Sequence, residues 1–326
     1  MFAKTTTVAG QKTSPDVFPL VYVPATDDTS LDSLCRWVAS EHDSLQQQLS
    51  QAGAVMLRGF AVDKDVDFDA VIQAFGMQNF AYKDSLSNAV RINRTERVFT
   101  ANEAPPDVSI YMHHEMAQTP IFPSRLFFYC EKAAEFRGET PVCRSDVLLS
   151  ALERELPRFI AACREHGVKY SNTMPAQDNA QSGQGRSWGS TLRVDSRDAA
   201  EAKLVALGYS WQWLDDGSLR ATTPVLPAIR KLIDGREVFF NQLIAAFRGW
   251  ADAEKSISYG NSERIDPTDM MRVSELADEI TFDIPWQDGD IVLVDNFLVM
   301  HGRRPFEGSR RVLVSLVAND GSRLAA

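Results

Sequence analysis

One short segment, residues 112–116 with the sequence MHHEM, constrains this chain more than any other. It follows residues 108–111, whose alternation of apolar and polar side chains predicts a strand. Residues i and i+2 of a strand project from the same face, so His113 and Glu115 point together. One imidazole and one carboxylate on one face supply two ligands for a divalent metal ion. His114 then belongs to the opposite face, with a methionine as its i+2 neighbour.

His301, in the sequence His-Gly-Arg, is the candidate for a third ligand. Two histidines and a carboxylate on one side of an iron leave the opposite positions open, which is the arrangement of non-heme Fe(II) oxygenases. The same three ligands also bind catalytic zinc in hydrolases. They could also form a metal site in a jelly roll without turnover, and a His-x-Glu triplet alone is compatible with an exposed polar pair. The motif therefore predicts a metal centre and leaves these alternatives open.

The composition limits the partners of the chain. With 326 residues and 44% hydrophobic side chains, the chain can bury a large core, and we expect one domain over residues 1–326. The net charge is −10, from 34 basic and 44 acidic side chains. Such a chain has no basic field to follow a phosphate backbone, which excludes nucleic acid and favours a small-molecule partner. No apolar run reaches the ~18 residues of a membrane span, so we expect a cytoplasmic protein with no membrane partner.

Two stretches of the chain look irregular, and the rest alternates predicted strands and helices. Residues 1–16 are predicted to be disordered. Residues 171–190 are rich in Asn, Gln, Gly and Ser, and a loop of this length is typical of a mobile lid. The predicted regular elements are strands at 17–23, 54–60, 125–130, 291–294 and 310–316, helices at 31–49, 68–75, 147–167 and 199–207, and a hairpin at 209–223.

Two further features suggest a site for a carboxylate. The last predicted strand begins with Arg310 and Arg311, and a buried guanidinium is costly unless its planar fork meets an anion. A pair of surface arginines is the alternative for these two residues. Thr140, in the sequence Gly-Glu-Thr-Pro, has a hydroxyl that could donate to the same carboxylate, although a threonine before proline also suits an ordinary turn.

Taken together, these motifs resemble the taurine dioxygenase and clavaminate synthase-like family of Fe(II)/2-oxoglutarate dioxygenases. The motifs are His113-x-Glu115, Gly-Glu-Thr140-Pro, the segment GDIVLVDN at 289–296, His301-Gly-Arg and Arg310-Arg311. The resemblance implies a mainly β fold with flanking helices, built on a double-stranded β-helix or jelly-roll core. It implies that His113, Glu115 and His301 bind Fe(2+) as the catalytic centre, and that Thr140 and Arg311, rather than Arg310, hold the distal carboxylate of 2-oxoglutarate.

The resemblance also implies which reaction and which substrate class to expect. Oxygen is the second co-substrate, and the products are succinate, CO2 and a hydroxylated substrate. Taurine-cleaving members carry a second arginine four positions after the first, where this chain has Ser315, so a sulfonate substrate is disfavoured. A glutamate ligand resembles the amino-acid-modifying branch, which suggests an amino acid, free or carrier-tethered, in specialised metabolism. The predicted substrate contacts are Ser109, Asn102, Asn241 and Ser315.

Overall fold

The computed structural model describes residues 2–13, 16–81, 85–87, 91–101, 104–178, 185–250, 256–319, 321 and 323–325. Among the described residues the helices are α1 Leu31–Ser40, α2 His42–Ala52, α3 Asp65–Ala74, α4 Ser145–Glu155, α5 Pro157–His166, α6 Trp188–Leu192, α7 Arg197–Ala206, α8 Leu243–Gly249 and α9 Pro267–Ile280.

The strands outnumber the helices. They are β1 Ala3–Thr6, β2 Leu20–Pro24, β3 Ala54–Leu57, β4 Phe99–Thr100, β5 Ile110–His113, β6 Arg125–Lys132, β7 Phe136–Arg137, β8 Thr140–Arg144, β9 Val168–Met174, β10 Ser210–Trp213, β11 Leu219–Thr222, β12 Arg230–Lys231, β13 Glu237–Val238, β14 Ile257–Tyr259, β15 Phe282–Ile284, β16 Ile291–Asp295, β17 Val299–Arg303, β18 Phe306–Glu307 and β19 Arg311–Val317.

Two sheets form the centre of the fold. A large sheet has the strand order β1-β2-β3-β16-β6-β19-β4, and a small sheet has the order β15-β8-β17-β5. Alternate side chains of both sheets meet in one buried core, for example Phe128 and Val294 from the large sheet with Val142 and Val299 from the small one. This sandwich, mainly β with flanking helices, confirms the predicted jelly-roll class.

Helices cover the outer faces of both sheets. Helices α1, α2 and α3 pack on the large sheet through side chains such as Leu34, Leu49 and Phe68. Helices α4, α5, α8 and α9 pack on the small sheet through side chains such as Phe159 and Met270. Each sheet is therefore buried on both faces, which fits the unbroken apolar strands of the sequence. Within the described residues, none of the helices has the length and apolar character needed to cross a membrane.

Two of the predicted helices are each divided into two. The helix predicted at 31–49 is interrupted at Glu41, where the backbone leaves the helical region, and it resumes as α2. The helix predicted at 147–167 is interrupted at Leu156, because Pro157 cannot donate a backbone hydrogen bond but suits the first turn of the next helix. The apolar spacing continues across both breaks, so periodicity alone did not reveal them.

The two stretches predicted to be irregular are partly regular. Residues 3–6 form β1, which pairs antiparallel with β2, so the prediction of disorder over 1–16 is wrong there; backbone pairing at a sheet edge does not require an apolar sequence. The loop predicted at 171–190 is also shorter than expected, since residues 171–174 belong to β9 and α6 begins at Trp188. Residues 179–184 lie outside the described residues, and the role of a lid stays a prediction, as does the single domain.

Candidate metal centre

Adjacent strands of the small sheet bring the two histidines together. Strand β5 pairs antiparallel with β17, and His301 stands opposite His113 in the register. Their ring centroids are 4.3 Å apart. The close approach of the strands depends on Gly302, because a Cβ atom at that position would lie 2.4 Å from the carbonyl oxygen of Ile110. Gly302 thus permits the strand pairing that places His301 opposite His113.

The three predicted ligands converge on one point. The Oε2 atom of Glu115 lies 3.9 Å from Nε2 of His113 and 3.4 Å from Nε2 of His301. All three ligand atoms lie within 4.8 Å of one another, and Glu115 and His301 are buried. Two imidazole nitrogens and one carboxylate oxygen with this spacing suit a divalent transition metal such as Fe(II). The side chains of the described residues therefore fit the predicted metal.

Neighbouring groups orient two of the ligands. Nδ1–H of His113 donates to the carbonyl oxygen of Tyr111 at 2.7 Å, which leaves the lone pair of Nε2 directed at the centre. Arg91 donates to Oε1 of Glu115 at 2.9 Å, so only Oε2 faces the histidines. This arrangement presents Glu115 as a ligand through one oxygen. No sequence pattern links Arg91 to the ligand motif, and our sequence reasoning missed it.

Arg91 also determines the charge of the ligand carboxylate. Burial by itself raises the pKa of Glu115, but the positive charge of Arg91 and the nearby imidazoles of His301 and His113 outweigh it. The net effect holds the pKa of Glu115 well below its usual range. The carboxylate is therefore ionised at neutral pH and ready to bind a cation.

Asn296 fixes the backbone of Glu115. Its Oδ1 accepts a hydrogen bond from the backbone N–H of Glu115 at 2.8 Å, and its Nδ2 donates to the Glu115 carbonyl at 3.1 Å. Nδ1–H of His114 donates to the Asn296 carbonyl, with the His114 side chain fully buried against Phe240. His114, just beyond the end of β5, thus points away from the metal centre. The amide of Asn296, directly after β16, thus holds the backbone of the turn that carries Glu115.

Two histidines with lowered pKa values should make the metal-free protein sensitive to acid. Burial lowers the pKa of His113 to about 4 and that of His114 to about 3. In the unfolded chain both protonate near pH 6.5, so between about pH 6.5 and 4 the unfolded state binds more protons than the folded state. The free energy of unfolding should therefore fall as the pH is lowered through this range, by about 1.4 kcal/mol per pH unit for each histidine. Urea unfolding at pH 7, 6 and 5 measures this slope.

His114→Gln provides the control for this pH dependence. This variant removes one of the two imidazoles with a lowered pKa without touching a predicted metal ligand. It should therefore show about half the slope of the wild type. Equal stability of the metal-free protein at pH 7 and pH 5 would contradict the neutral burial of both histidines.

The metal centre opens into a cavity between the two sheets. The cavity has a volume of about 120 Å³, and Arg310 and Thr140 form part of its wall together with Phe128 and the three ligands. Oγ1 of Thr140 accepts hydrogen bonds from Nε1 of Trp286 at 3.0 Å and from Arg310 at 3.3 Å. With both lone pairs engaged, the hydroxyl proton of Thr140 is available to donate.

Arg310, and not Arg311, faces the cavity. Alternate residues of this segment, Arg310, Val312 and Val314, line the cavity. The side chain of Arg311 is 55% exposed and pairs with Glu131 at 2.6 Å. Arg311, which was predicted to bind the carboxylate, therefore points away from the cavity, and Arg310 takes the position in the cavity wall. Burial, with the nearby charge of Arg303, lowers the pKa of Arg310 to about 10, which still leaves it positively charged at neutral pH.

The predicted substrate contacts are not gathered in this cavity. Ser315 has the same orientation as Arg311 and is fully buried on the outer side of the large sheet, away from the cavity wall. Asn241 is also buried, where its side chain bonds to the carbonyl of Ala228 and the N–H of Leu243. Ser109 is half-buried and does not line the cavity. These three predictions are corrected, and Asn102 lies outside the described residues.

The sequence as a whole matches a known family. Residues 16–317 match the model of the taurine catabolism dioxygenase TauD, TfdA family. The chain belongs to this family. Membership confirms the predicted dioxygenase class, with iron and 2-oxoglutarate as cofactor and co-substrate, and the His-Glu-His cluster is the matching metal site.

Individual proteins resemble this chain over nearly its full length. A clavaminate synthase-like protein of Arabidopsis thaliana is 36% identical over 310 residues, covering 92% of this chain and 93% of the relative. The dapdiamide synthesis protein DdaC of Enterobacter agglomerans is 28% identical over 310 residues, covering 90% and 89%. Among solved structures, PvcB of Pseudomonas aeruginosa superposes with a TM-score of 0.55 at 13% identity, covering 94% of this chain and 88% of PvcB, which supports the fold.

Proposed function

We propose that this dioxygenase hydroxylates an unactivated C–H bond of a small amino-acid-like substrate. One molecule each of substrate, 2-oxoglutarate and O2 is converted to hydroxylated substrate, succinate and CO2. The observation that carries the proposal is that a His-Glu-His cluster and a buried arginine line the same cavity. A metal site alone suits many reactions, but a metal site with a carboxylate receptor beside it suits a keto-acid co-substrate.

His113, Glu115 and His301 are proposed to hold Fe(II). The bound metal supplies the redox chemistry that activates O2. With these three side chains on one side, a bound metal would keep its opposite side open to co-substrate and oxygen. Because a carboxylate fills the third position, no ligand position is left vacant for a halide, as it would be in halogenating relatives, and this favours hydroxylation.

Arg310 and Thr140 are proposed to bind the distal carboxylate of 2-oxoglutarate. The guanidinium lies in the cavity wall, where its Nε donates to the carbonyl of Gly138 at 2.8 Å. Its terminal nitrogens can pair with a carboxylate, while the Thr140 hydroxyl donates a further hydrogen bond. Within the part of the chain that the structure describes, no carboxylate lies within 4.0 Å of Arg310, so the co-substrate would supply the missing counter-charge.

The substrate class rests on more indirect support. The residue four positions after Arg310 is Val314, which lines the cavity and offers a sulfonate no cationic partner. Two relatives have names that place them in the synthesis of small natural products, namely dapdiamide synthesis for DdaC and an isonitrile synthetic pathway for PvcB. These names favour a free or carrier-tethered amino-acid-like substrate in specialised metabolism. The zinc hydrolase and the metal-binding jelly roll without turnover have no use for the arginine and threonine.

A substrate screen tests this function. Purified enzyme with Fe(II), 2-oxoglutarate and O2 is incubated with free amino acids and with carrier-tethered aminoacyl groups, and succinate is measured. We expect one class to raise succinate release well above the substrate-free rate, with a product 16 mass units heavier than the substrate, since one oxygen atom is added. The Glu115→Ala variant is the control and should give no response. If no amino-acid-like compound increases succinate release, the result would contradict the proposed substrate class.

A further inference from the structure

A second cavity adjoins the metal cavity. Both cavities share Gln118 and Trp250 in their walls, so these two residues mark the junction. The second cavity, which we call the side chamber, has a volume of about 50 Å³. It is enclosed by strands β9 and β11 and by helices α6 and α7. The other described residues that line it are Leu86, Thr119, Tyr170, Asn172, Met174, Thr191, Leu192, Leu204, Leu207, Tyr209, Ala221 and Thr223.

The side chamber is uncharged. None of its described lining residues is acidic or basic, and six of the fourteen are aliphatic or methionine. The metal cavity, in contrast, contains Arg91, Arg303 and Arg310. A charged group would lose its hydration in the side chamber without meeting a counter-charge, whereas an apolar group would be stabilised by leaving water. The two cavities therefore suit chemically different parts of one ligand.

Two polar atoms of the side chamber lack partners. Thr191 is 2% exposed, and within the described residues its Oγ1 atom makes no hydrogen bond. The Oε1 atom of Gln118, at the junction, is buried and also makes none among the described residues. Buried polar atoms are nearly always satisfied in native proteins. An amide oxygen can only accept, so the missing partner of Gln118 must be a donor.

We propose that the side chamber binds the uncharged, mainly apolar side chain of the primary substrate, while an N–H group of the substrate donates to Gln118. The hydroxyl of Thr191 bonds to a polar atom of the same substrate. This inference rests on the proposed function, because it assumes that the carbon to be hydroxylated lies in the metal cavity. It adds the class of substrate: an amino-acid derivative with an N–H donor and an aliphatic side chain, and not an acidic or basic one.

The volume limits the size of the side chain. About 50 Å³ corresponds to roughly three to five water positions, or about four carbon atoms of a branched aliphatic group. Strand periodicity explains why the chamber has this form. Tyr170, Asn172 and Met174 of β9 face the chamber, and so does Ala221 of β11, whose short side chain leaves the space open.

A panel of matched probes tests the proposal. The panel contains the free and N-acetylated forms of alanine, leucine, aspartate and lysine, added to enzyme loaded with Fe(II) and 2-oxoglutarate. We expect the leucine forms to give the highest succinate kcat/KM, about tenfold or more above the aspartate and lysine forms. Equal values for leucine, aspartate and lysine forms overturn the proposal.

Two variants connect this preference to the side chamber. Ala221→Leu fills the chamber and should lower kcat/KM for the leucine forms about tenfold or more while affecting the alanine forms less. Ala206→Leu, at an exposed position of α7, is the matched control. Loss of the leucine preference in both variants, or in neither, overturns the proposal.

Thr191→Val gives a test that does not depend on filling space. The variant removes a hydroxyl that has no partner, so the free energy of unfolding should stay equal or rise, while binding of the leucine probe weakens roughly 5- to 30-fold. Thr173→Val, on the exposed face of β9, is the control. A destabilised Thr191→Val variant with unchanged binding would show that the hydroxyl has a purely structural role.

The anaerobic visible band of the Fe(II) and 2-oxoglutarate chelate distinguishes a failure of the proposed function from a failure of the side chamber proposal. If wild-type enzyme forms no chelate, the proposed function fails, whatever the probes do. If the chelate forms and the probes show no side-chain preference, only the side chamber proposal fails. Chelate formation together with the leucine preference and its loss in Ala221→Leu supports both.

Discussion

Replacing His301 with alanine is expected to abolish stoichiometric iron binding and, with it, succinate formation. The Nε2 atom of His301 is one of three ligand atoms that converge within 4.8 Å, and no other histidine of the described residues joins them. Because changes to groups that merely support metal ligands already cost 10- to 100-fold in affinity, loss of a ligand should weaken iron binding by at least about 100-fold. Anaerobic Fe(II) titration followed by metal analysis of the desalted protein measures the affinity for iron. His113→Ala and Glu115→Ala should behave alike.

His114→Ala is the matched control for the ligand variants. It removes an imidazole from the position next to His113, but this imidazole is fully buried against Phe240 and points away from the metal. We expect the free energy of unfolding to fall by about 2–4 kcal/mol through the cavity and the lost hydrogen bond. Iron should still bind stoichiometrically. Loss of iron in His114→Ala together with retention in His301→Ala would reverse the assignment of the ligands.

The second large effect is expected for Arg310→Ala. If its guanidinium pairs with the distal carboxylate of 2-oxoglutarate, its removal leaves a buried carboxylate without its charge-assisted partner, at a cost of roughly 2–5 kcal/mol. At ~1.4 kcal/mol per factor of ten, this corresponds to about 30- to 3000-fold weaker binding of 2-oxoglutarate. The affinity for iron should barely change, because Arg310 is not among the metal ligands.

Arg311→Ala is the neighbouring control. The side chain is 55% exposed, and its ion pair with Glu131 lies at the surface, where such pairs contribute little. Titration of 2-oxoglutarate into each iron-loaded variant compares the two. A larger loss in Arg311→Ala than in Arg310→Ala would show that the orientation of this segment is the reverse of the one described here.

The sequence led to the prediction that His113 and Glu115 lie together, because strand residues two positions apart share a face. In the structure β5 ends at His113, and Glu115 lies in the turn that follows, where Asn296 binds its backbone. His301 was found because a histidine followed by glycine and arginine matches the family pattern. Pairing of β5 with β17 then places His301 opposite His113.

The sequence could not show whether Arg310 or Arg311 faces the cavity, and the reason is also physical. Two consecutive residues at the start of a strand point to opposite faces, and the sequence does not show which face is inside. The pairing with β6 is also irregular between Arg311 and Val312, so counting along the strand is unreliable at that point. The same error of one position placed Ser315 in the cavity.

The supporting residues were missed because their contacts are distant in sequence. Arg91 reaches Glu115 from a separate segment, and Asn296 clamps the same residue across 181 positions. The side chamber likewise requires β9, β11, α6 and α7 to be placed together before it exists. Such contacts follow from the tertiary fold, and the patterns in a single sequence do not predict them.

The central claim is that the His-Glu-His cluster and Arg310 bind one iron and one 2-oxoglutarate together. The most direct measurement is an anaerobic titration of Fe(II)-loaded enzyme with 2-oxoglutarate, followed by the weak visible charge-transfer band of the chelate. The predicted result is a band that saturates at one 2-oxoglutarate per iron in the wild type and in Arg311→Ala, and that requires far more 2-oxoglutarate in Arg310→Ala. A wild-type protein that binds iron fully and develops no band at any concentration of 2-oxoglutarate would contradict the claim.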